Sequence, residues 1–455
     1  MTVGSRVLLL GGIAAACMVA AAQVMVMAQL GAPAGFVVPI AIVVAIAVVR
    51  RPVLGLQLAL LAVPLEFFSF KAGGLAGFSV TELLLLLSAA STLLEWSILG
   101  RVPPVPPALR ALAAICLVIA LGFTVARDTA LVTKVLVMWS AFAVIGTQVA
   151  NLPLSEVRRT LVCMALAGGL VSLLAIATSG TQTLVAGGAA VTGRAQGSFS
   201  QPNTLGFFLL MTLPIAMVLA TRGSVWLRAV MAVAAALSVV ALMLSLSRTS
   251  LLGAALSFLV LLLSPPFRRL AFVALAVLLV FAFANARALS QSHQVEVVTS
   301  RLGTLGQGTS VVRDDPRFKI YSAVPEIFGE HPWLGVGAAN FRLISLAAGL
   351  NEGGEPYEHA HNVVLTFAVE LGTAGVIALL WLLAAVGRLV VHAVRSRGDP
   401  VTGALGLALT ASMVGNVMTS LGDYPPRNNV VAATFIAQVG MLVALARAQA
   451  AARSA

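Results

Sequence analysis

The chain has 455 residues, 60% of them hydrophobic and 10% charged, with a mean hydropathy of +1.02. Soluble globular proteins carry about 25% charged residues, and no aqueous core could take up this much apolar surface, so the composition excludes a soluble enzyme and points to helices in a bilayer. The net charge of +12 does not indicate a nucleic-acid partner, because the arginines flank apolar runs singly or in pairs and form no dense basic stripe.

Apolar segments fall at 7–29, 35–49, 53–70, 78–99, 108–126, 129–150, 157–178, 203–221, 225–246, 249–264, 269–288, 361–391, 402–420 and 428–447. A span needs about 20 residues, so the expected fold is an all-α polytopic membrane protein of about 12–14 transmembrane helices. The first run, following Arg6, exceeds a signal-peptide core of about 7–15 residues and reads as a retained helix. The 35–49 and 249–264 runs are short enough to be re-entrant. Four regions follow: N-terminal transmembrane helices (1–178), central helices with arginine-bearing outer segments (179–288), a periplasmic loop domain (289–360) and C-terminal helices (361–455). Cys17, Cys116 and Cys163 each lie inside an apolar run, without metal-ligand or disulfide spacing.

Orientation comes from the connections. With the N-terminus inside, cytoplasmic loops receive Arg50 and Arg51, Arg101 and Arg110, Arg158 and Arg159, Arg222 and Arg228, Arg268 and Arg269, and Arg395 and Arg397. That is the positive-inside pattern. It leaves two long segments, 179–202 and 289–360, on the outer side. Within the second, Asp314 and Asp315 precede Pro316, a plausible cap and first helical position. Phe318, Tyr321, Val324 and Phe328 would then share one face of a short helix at the membrane surface, which Pro325 should kink or shorten.

Three arginines defy the positive-inside bias: Arg194 in the first outer segment, Arg248 between two apolar helices, and Arg317 opening the loop helix. An arginine such as Arg248 can simply snorkel to the interface, but ionisable residues at membrane depth are rare and usually functional. The stretch His359-Ala360-His361-Asn362 holds two of only five histidines, where the loop becomes a helix. Zinc needs three or four ligands, and no neighbouring Cys or carboxylate pattern completes a set, so no metal is expected. The structural alternative is helix capping, with Asn362 a candidate. The functional one is a histidine base that takes a proton from a hydroxyl. Arginine's planar fork suits phosphate oxygens. Several arginines around one histidine can therefore bind a lipid diphosphate while the histidine activates the hydroxyl that displaces it.

Four stretches carry a family resemblance. GRAQGSFSQPNTLGFFLLMTLP (193–214), SLSRTS (245–250), RFKIYSAVPEIFGEHPWLGVGAANF (317–341) and HAHNVVLTFAVELGTAG (359–375) resemble, in order, the motifs of the O-antigen ligase and Wzy-type polymerase superfamily. The last fits a His-Asn pair, nine residues, Gly, two residues, Gly: His361, Asn362, Gly372 and Gly375. The resemblance implies a metal-independent, inverting glycosyltransferase without a cofactor in the bacterial cytoplasmic membrane, its site facing the periplasm. Its donor would be an undecaprenyl-diphosphate-linked glycan and its acceptor lipid A–core, as in a ligase, or another carrier-linked repeat, as in a polymerase. By the same resemblance His361 is the base and Arg194 and Arg317 bind the diphosphate, with Arg248 as a third. Asn362, Tyr321, His359 and Asn203 support them. A flippase for lipid-linked sugars is the rival from another class, but it would need polar groups on both faces of its central helices. A structural scaffold leaves the outer arginines unexplained.

Overall fold

The computed structural model describes residues 37–67, 69–70, 77–179, 183–186, 189–192, 194–284, 316–352, 355–397, 399 and 402–454. The expected first span and the putting of Asp314 and Asp315 at a helix cap lie outside these residues. The chain is an all-α polytopic membrane protein. Its helices are α1 (Val37–Arg50), α2 (Val53–Leu61), α3 (Val80–Leu99), α4 (Pro107–Leu121), α5 (Thr129–Ala150), α6 (Leu154–Thr178), α7 (Pro202–Leu219) and α8 (Val225–Leu244). They continue with α9 (Arg248–Leu261), α10 (Pro265–Ala284), α11 (Pro316–Glu330), α12 (Phe341–Ala347), α13 (Val363–Arg395), α14 (Gly403–Ser420) and α15 (Asn429–Ser454). Nine of those described are long and apolar enough to cross a bilayer. The 53–70 run is not one of them: α2 has nine residues before a 3₁₀ turn at Val63–Leu65, and at about 1.5 Å per residue it falls well short of the hydrocarbon thickness. Three two-stranded antiparallel hairpins, such as Thr183–Ala186 with Ala189–Thr192, complete the described elements.

Burial separates central helices from peripheral ones. In α7 every residue from Leu205 to Leu219 is buried, the signature of a helix enclosed by others. By contrast α10 exposes Phe272, Val273, Val280 and Phe283, a face that suits lipid and not water. Against α9, α14 packs backbone to backbone. A Cβ on Gly253 would come within 2.8 Å of the Gly415 carbonyl oxygen, and one on Gly415 within 2.3 Å of Ser257 Oγ. Small residues are what allow helices this approach where no water drives them together.

The two ends of the bundle differ. Arg50, Arg51, Arg101 and Glu156 line one cavity at the C-terminal end of α3. At its N-terminal end Ser79 and Glu82 form a reciprocal capping box. There Glu82 also meets Lys134 at 3.4 Å and Asn429, both at the starts of their helices.

Helix α11 continues past Pro325 as far as Glu330. Its buried positions are Ile320, Val324 and Ile327, which join Val336, Phe341, Tyr357, Ala360 and Val369 in a second, smaller core. The helix therefore turns its apolar side to protein: of the expected face, Val324 lies in this core and Tyr321 packs against it, and Ile320 and Ile327 join them. Side-chain burial is not described for Phe318.

What anchors that layer is a break in α13. Gly372 sits at φ 64°, ψ −162° inside the helix, a conformation essentially confined to glycine. The freed backbone bonds the 332–337 loop: Val336 N donates to Val369 O (2.9 Å), Gly337 N to Glu370 O (3.0 Å), and Thr373 N to Pro332 O (2.8 Å). A Cβ on Gly372 would lie 2.4 Å from the Trp333 carbonyl carbon. Gly372→Ala is expected to cost at least about 1–3 kcal/mol from the backbone conformation alone. The check is thermal unfolding of the detergent-purified protein, where an unchanged midpoint would contradict the docking account.

Candidate active site

Most of the sequence candidates, namely Arg194, Asn203, Arg248, Tyr321, His359, His361 and Asn362, gather where the ends of α8 and α14 meet the starts of α7, α9 and α13. Asn362 caps α13, its Oδ1 accepting from Val364 N (2.9 Å) and Leu365 N (3.1 Å), while its Nδ2 donates to Leu421 O (2.8 Å). Capping is thus real, and it falls to Asn362 and leaves the His361 ring out. At His361 itself the backbone is left-handed, with φ 48°. That is uncommon for a residue with a side chain and costs of order 1–3 kcal/mol. Tyr321 Oη, from α11, donates to the His361 carbonyl oxygen at 3.2 Å and helps hold this turn. Among the described residues the other non-glycine left-handed positions are Leu246 and Ala339. The first lies two residues before Arg248 and the second beside the Gly337 docking contact.

The centre of the cluster is a residue that the sequence reading did not select, Asp423. Its Oδ1 lies 3.4 Å from His361 Nδ1 and 3.6 Å from His359 Nε2. Oδ2 accepts from Asn203 Nδ2 at 2.8 Å. Asn203 Oδ1 in turn accepts from Arg194 at 3.4 Å, and Arg194 Nε donates to the Ser245 carbonyl at 2.9 Å. A continuous polar line thus runs from Arg194 through Asn203 and Asp423 to His361. A signal for Asp423 existed: it is the sole acidic residue after Asp399, and it lies between two apolar runs.

Electrostatics distinguish the parts. Burial, and then the neighbouring charge of Arg248, holds the Arg194 guanidinium below its ordinary pKa. Arg194 and Arg248 thus stand within electrostatic reach of one another, and guanidinium groups gathered in this way suit a phosphate-bearing ligand. Of the two histidines, whose rings meet edge to face at 4.4 Å, His361 keeps 24% of its side chain exposed and His359 only 5%. His361 is the one open to a substrate. His359 is more engaged than a turn-shaping role requires, since it also approaches Asp423 and edges a cavity. Arg317 stands in the first turn of α11, four residues before Tyr321; its side chain is not among those described.

The expectation that no carboxylate completes a metal set with the histidines rested on local spacing, and the fold corrects it. Ligand atoms of His359, His361 and Asp423 all lie within 4.8 Å of one another. Three ligands of this kind could hold a cation or form a hydrogen-bonded base, and the two differ in their response to chelators.

Residues 233–380 match the family model described as O-Antigen ligase. This segment is similar to that family. The match supports the superfamily that the four motifs imply, and with it a membrane enzyme of the ligase and polymerase kind. His361, Asn362, Arg248, Arg317 and Tyr321 fall inside the matched residues, while Arg194, Asn203 and Asp423 fall outside; Asp423 is joined to the site by geometry alone. No match was found among curated proteins.

Proposed function

We propose that the protein transfers a glycan from undecaprenyl diphosphate to a hydroxyl of lipid A–core on the periplasmic face of the bacterial cytoplasmic membrane, as an O-antigen ligase. The observation that carries this is the line from the Arg194–Arg248 pair through Asn203 and Asp423 to His361. Arg194 and Arg248, with Arg317, bind the diphosphate. Since a carboxylate can only accept, Asp423 fixes the tautomer in which His361 carries its proton on Nδ1 and leaves Nε2 as the base.

Nε2 of His361 takes the proton of the acceptor hydroxyl as its oxygen attacks the anomeric carbon. A carbon–oxygen bond forms there, the bond from that carbon to the diphosphate breaks, and the configuration inverts. Undecaprenyl diphosphate leaves with its electron pair, its charge stabilised by the arginines. His361 passes the proton on to water. Asp423 balances the charge of the imidazolium meanwhile, and Tyr321, Asn362, His359 and Asn203 keep the groups in register.

The reaction needs no divalent cation in this scheme, because guanidinium groups supply the positive charge. The test is transfer by purified protein in liposomes, given undecaprenyl-diphosphate glycan and lipid A–core, with and without EDTA. Product should form at the same rate in both. Activity lost to EDTA and restored by magnesium, manganese or zinc would make His359, His361 and Asp423 metal ligands and overturn the base assignment.

A further inference from the structure

At the end of the bundle opposite the Asp423 centre, a cavity of about 860 Å³ opens beside the C-terminal end of α3. The separation follows from α3 itself, whose 20 residues rise about 30 Å. Near its start Glu82 meets Asn429, the first residue of α15 and close in sequence to Asp423, while Gly100 caps the cavity end. The positive-inside reading puts this far end at the cytoplasmic face. The volume falls in the range of about 300–1,000 Å³ common for ligand pockets.

The cavity wall carries both signs of charge, with Arg50, Arg51 and Arg101 beside Glu95 and Glu156. Glu156 is already engaged, held between Arg51 and Arg159. Among the described residues, the side chains of Arg50, Glu95 and Arg101 form no ion pair or hydrogen bond. Opposite charges that share one cavity without meeting suit a ligand that itself carries both signs. Gln148, from the last turn of α5, is a second and independent observation. It lines the same cavity, its side chain is only 8% exposed, and its Oε1 is buried without a hydrogen-bond partner. A donor placed in the cavity would satisfy it.

The rim identifies where such a ligand comes from. Leu99 and Val102, 63% and 71% exposed, belong to the wall, and the exposed Leu94 and Ile98 continue from them along α3. Trp96, half-buried in the same wall, is of the type that gathers at membrane–water interfaces. A soluble phosphate compound has no use for this apolar approach. A phospholipid does, because its acyl chains lie along the helix while its head enters a pocket with basic groups.

We infer that this cavity binds a phospholipid of the cytoplasmic leaflet whose head carries a phosphate and a primary ammonium, as in phosphatidylethanolamine. Arg50 and Arg101 take the phosphate, and Glu95 and the Gln148 carbonyl accept from the ammonium. The inference does not depend on the transferase reading.

Delipidated full-length protein in detergent is titrated with phosphatidylethanolamine, phosphatidylcholine and phosphatidylglycerol of equal acyl chains, and bound lipid is measured by native mass spectrometry. Phosphatidylethanolamine should bind most tightly. The choline lipid keeps the phosphate, but its trimethylated nitrogen cannot donate; the glycerol lipid has no ammonium. Glu95 and Arg101 are exposed, so Glu95→Gln and Arg101→Ala should both fold. Glu95→Gln should weaken phosphatidylethanolamine about three- to tenfold, as for one charged contact near the surface, and erase its advantage over phosphatidylcholine. Arg101→Ala should weaken both lipids by a similar factor, and Arg101→Lys should restore part of the loss.

Equal affinity of wild type for the ethanolamine and choline lipids would overturn the inference, as would a preference that survives Glu95→Gln. Unchanged binding after Arg101→Ala would do the same. Tighter binding of phosphatidylglycerol would make the site one for anionic lipid and reject the zwitterionic head. Glycerophosphoethanolamine, the same head without chains, should not displace the lipid. Displacement at equal concentration would mark a site for a soluble phosphate compound and remove the lipid assignment.

Discussion

His361→Asn should reduce glycan transfer by about 10²–10⁴-fold, the range contributed by a positioned acid–base group, while leaving donor binding nearly intact. Asparagine is the informative replacement. It tolerates the left-handed backbone found at position 361, φ 48°, better than most residues, and it can still hydrogen-bond to Asp423, yet it cannot take up a proton near neutral pH. The proposed diphosphate-binding groups Arg194 and Arg248 are untouched. Initial rates and binding of a fluorescent donor analogue, measured on the same purified sample, separate the two effects. A folded His361→Asn protein with the wild-type rate would show that His361 is not the base. His359→Asn, at the more buried ring, should lose less.

A comparable loss is expected for Asp423→Asn. In other enzymes, replacing the carboxylate that holds a catalytic histidine costs up to about 10⁴-fold. Here the side chain is buried, with Oδ1 facing both histidines and Oδ2 taking the Asn203 amide. Asparagine preserves the shape but removes the charge that balances the imidazolium, and it leaves one of its neighbours facing an N–H in place of an oxygen. A merely structural Asp423 would lower the unfolding temperature of the protein and spare the turnover of whatever remains folded. Loss of kcat at unchanged donor KM and little-changed melting is the expected pattern. The reverse pattern would remove Asp423 from the chemistry.

The sequence made the membrane class legible because hydrophobicity acts locally. Each apolar run among the described residues became a helix except the 53–70 run, which is helical only over Val53–Leu61, and the charge pattern of the connections came from the same short-range reading. The His361–Asn362 pair was also visible, since a loop-to-helix junction carries its own capping chemistry, which Asn362 supplies. Arg194 and Arg248 could be singled out because each falls on the outer side against the positive-inside bias, Arg248 with apolar sequence on both sides; their electrostatic contact with each other could not be seen.

Tertiary structure decided the rest. Asp423 reaches His361 from 62 residues away and Asn203 from 220, separations at which no local pattern records a contact. The same holds for the wall of the cavity beside His359, which joins Lys134 to Arg342 and Arg427. Helix α11 shows how packing overrides periodicity. Its sequence offers two overlapping apolar faces, and contact with Val336, Phe341 and Val369 selects Ile320, Val324 and Ile327. Motif glycines such as Gly372 could be recognised but not explained, because the reason for glycine there is a loop backbone 2.4 Å from where a Cβ would stand. Residue types and spacing specify which helices form and which groups are available for chemistry. The buried contacts between distant segments specify which of those groups meet, because only packing brings them within a few ångströms of one another.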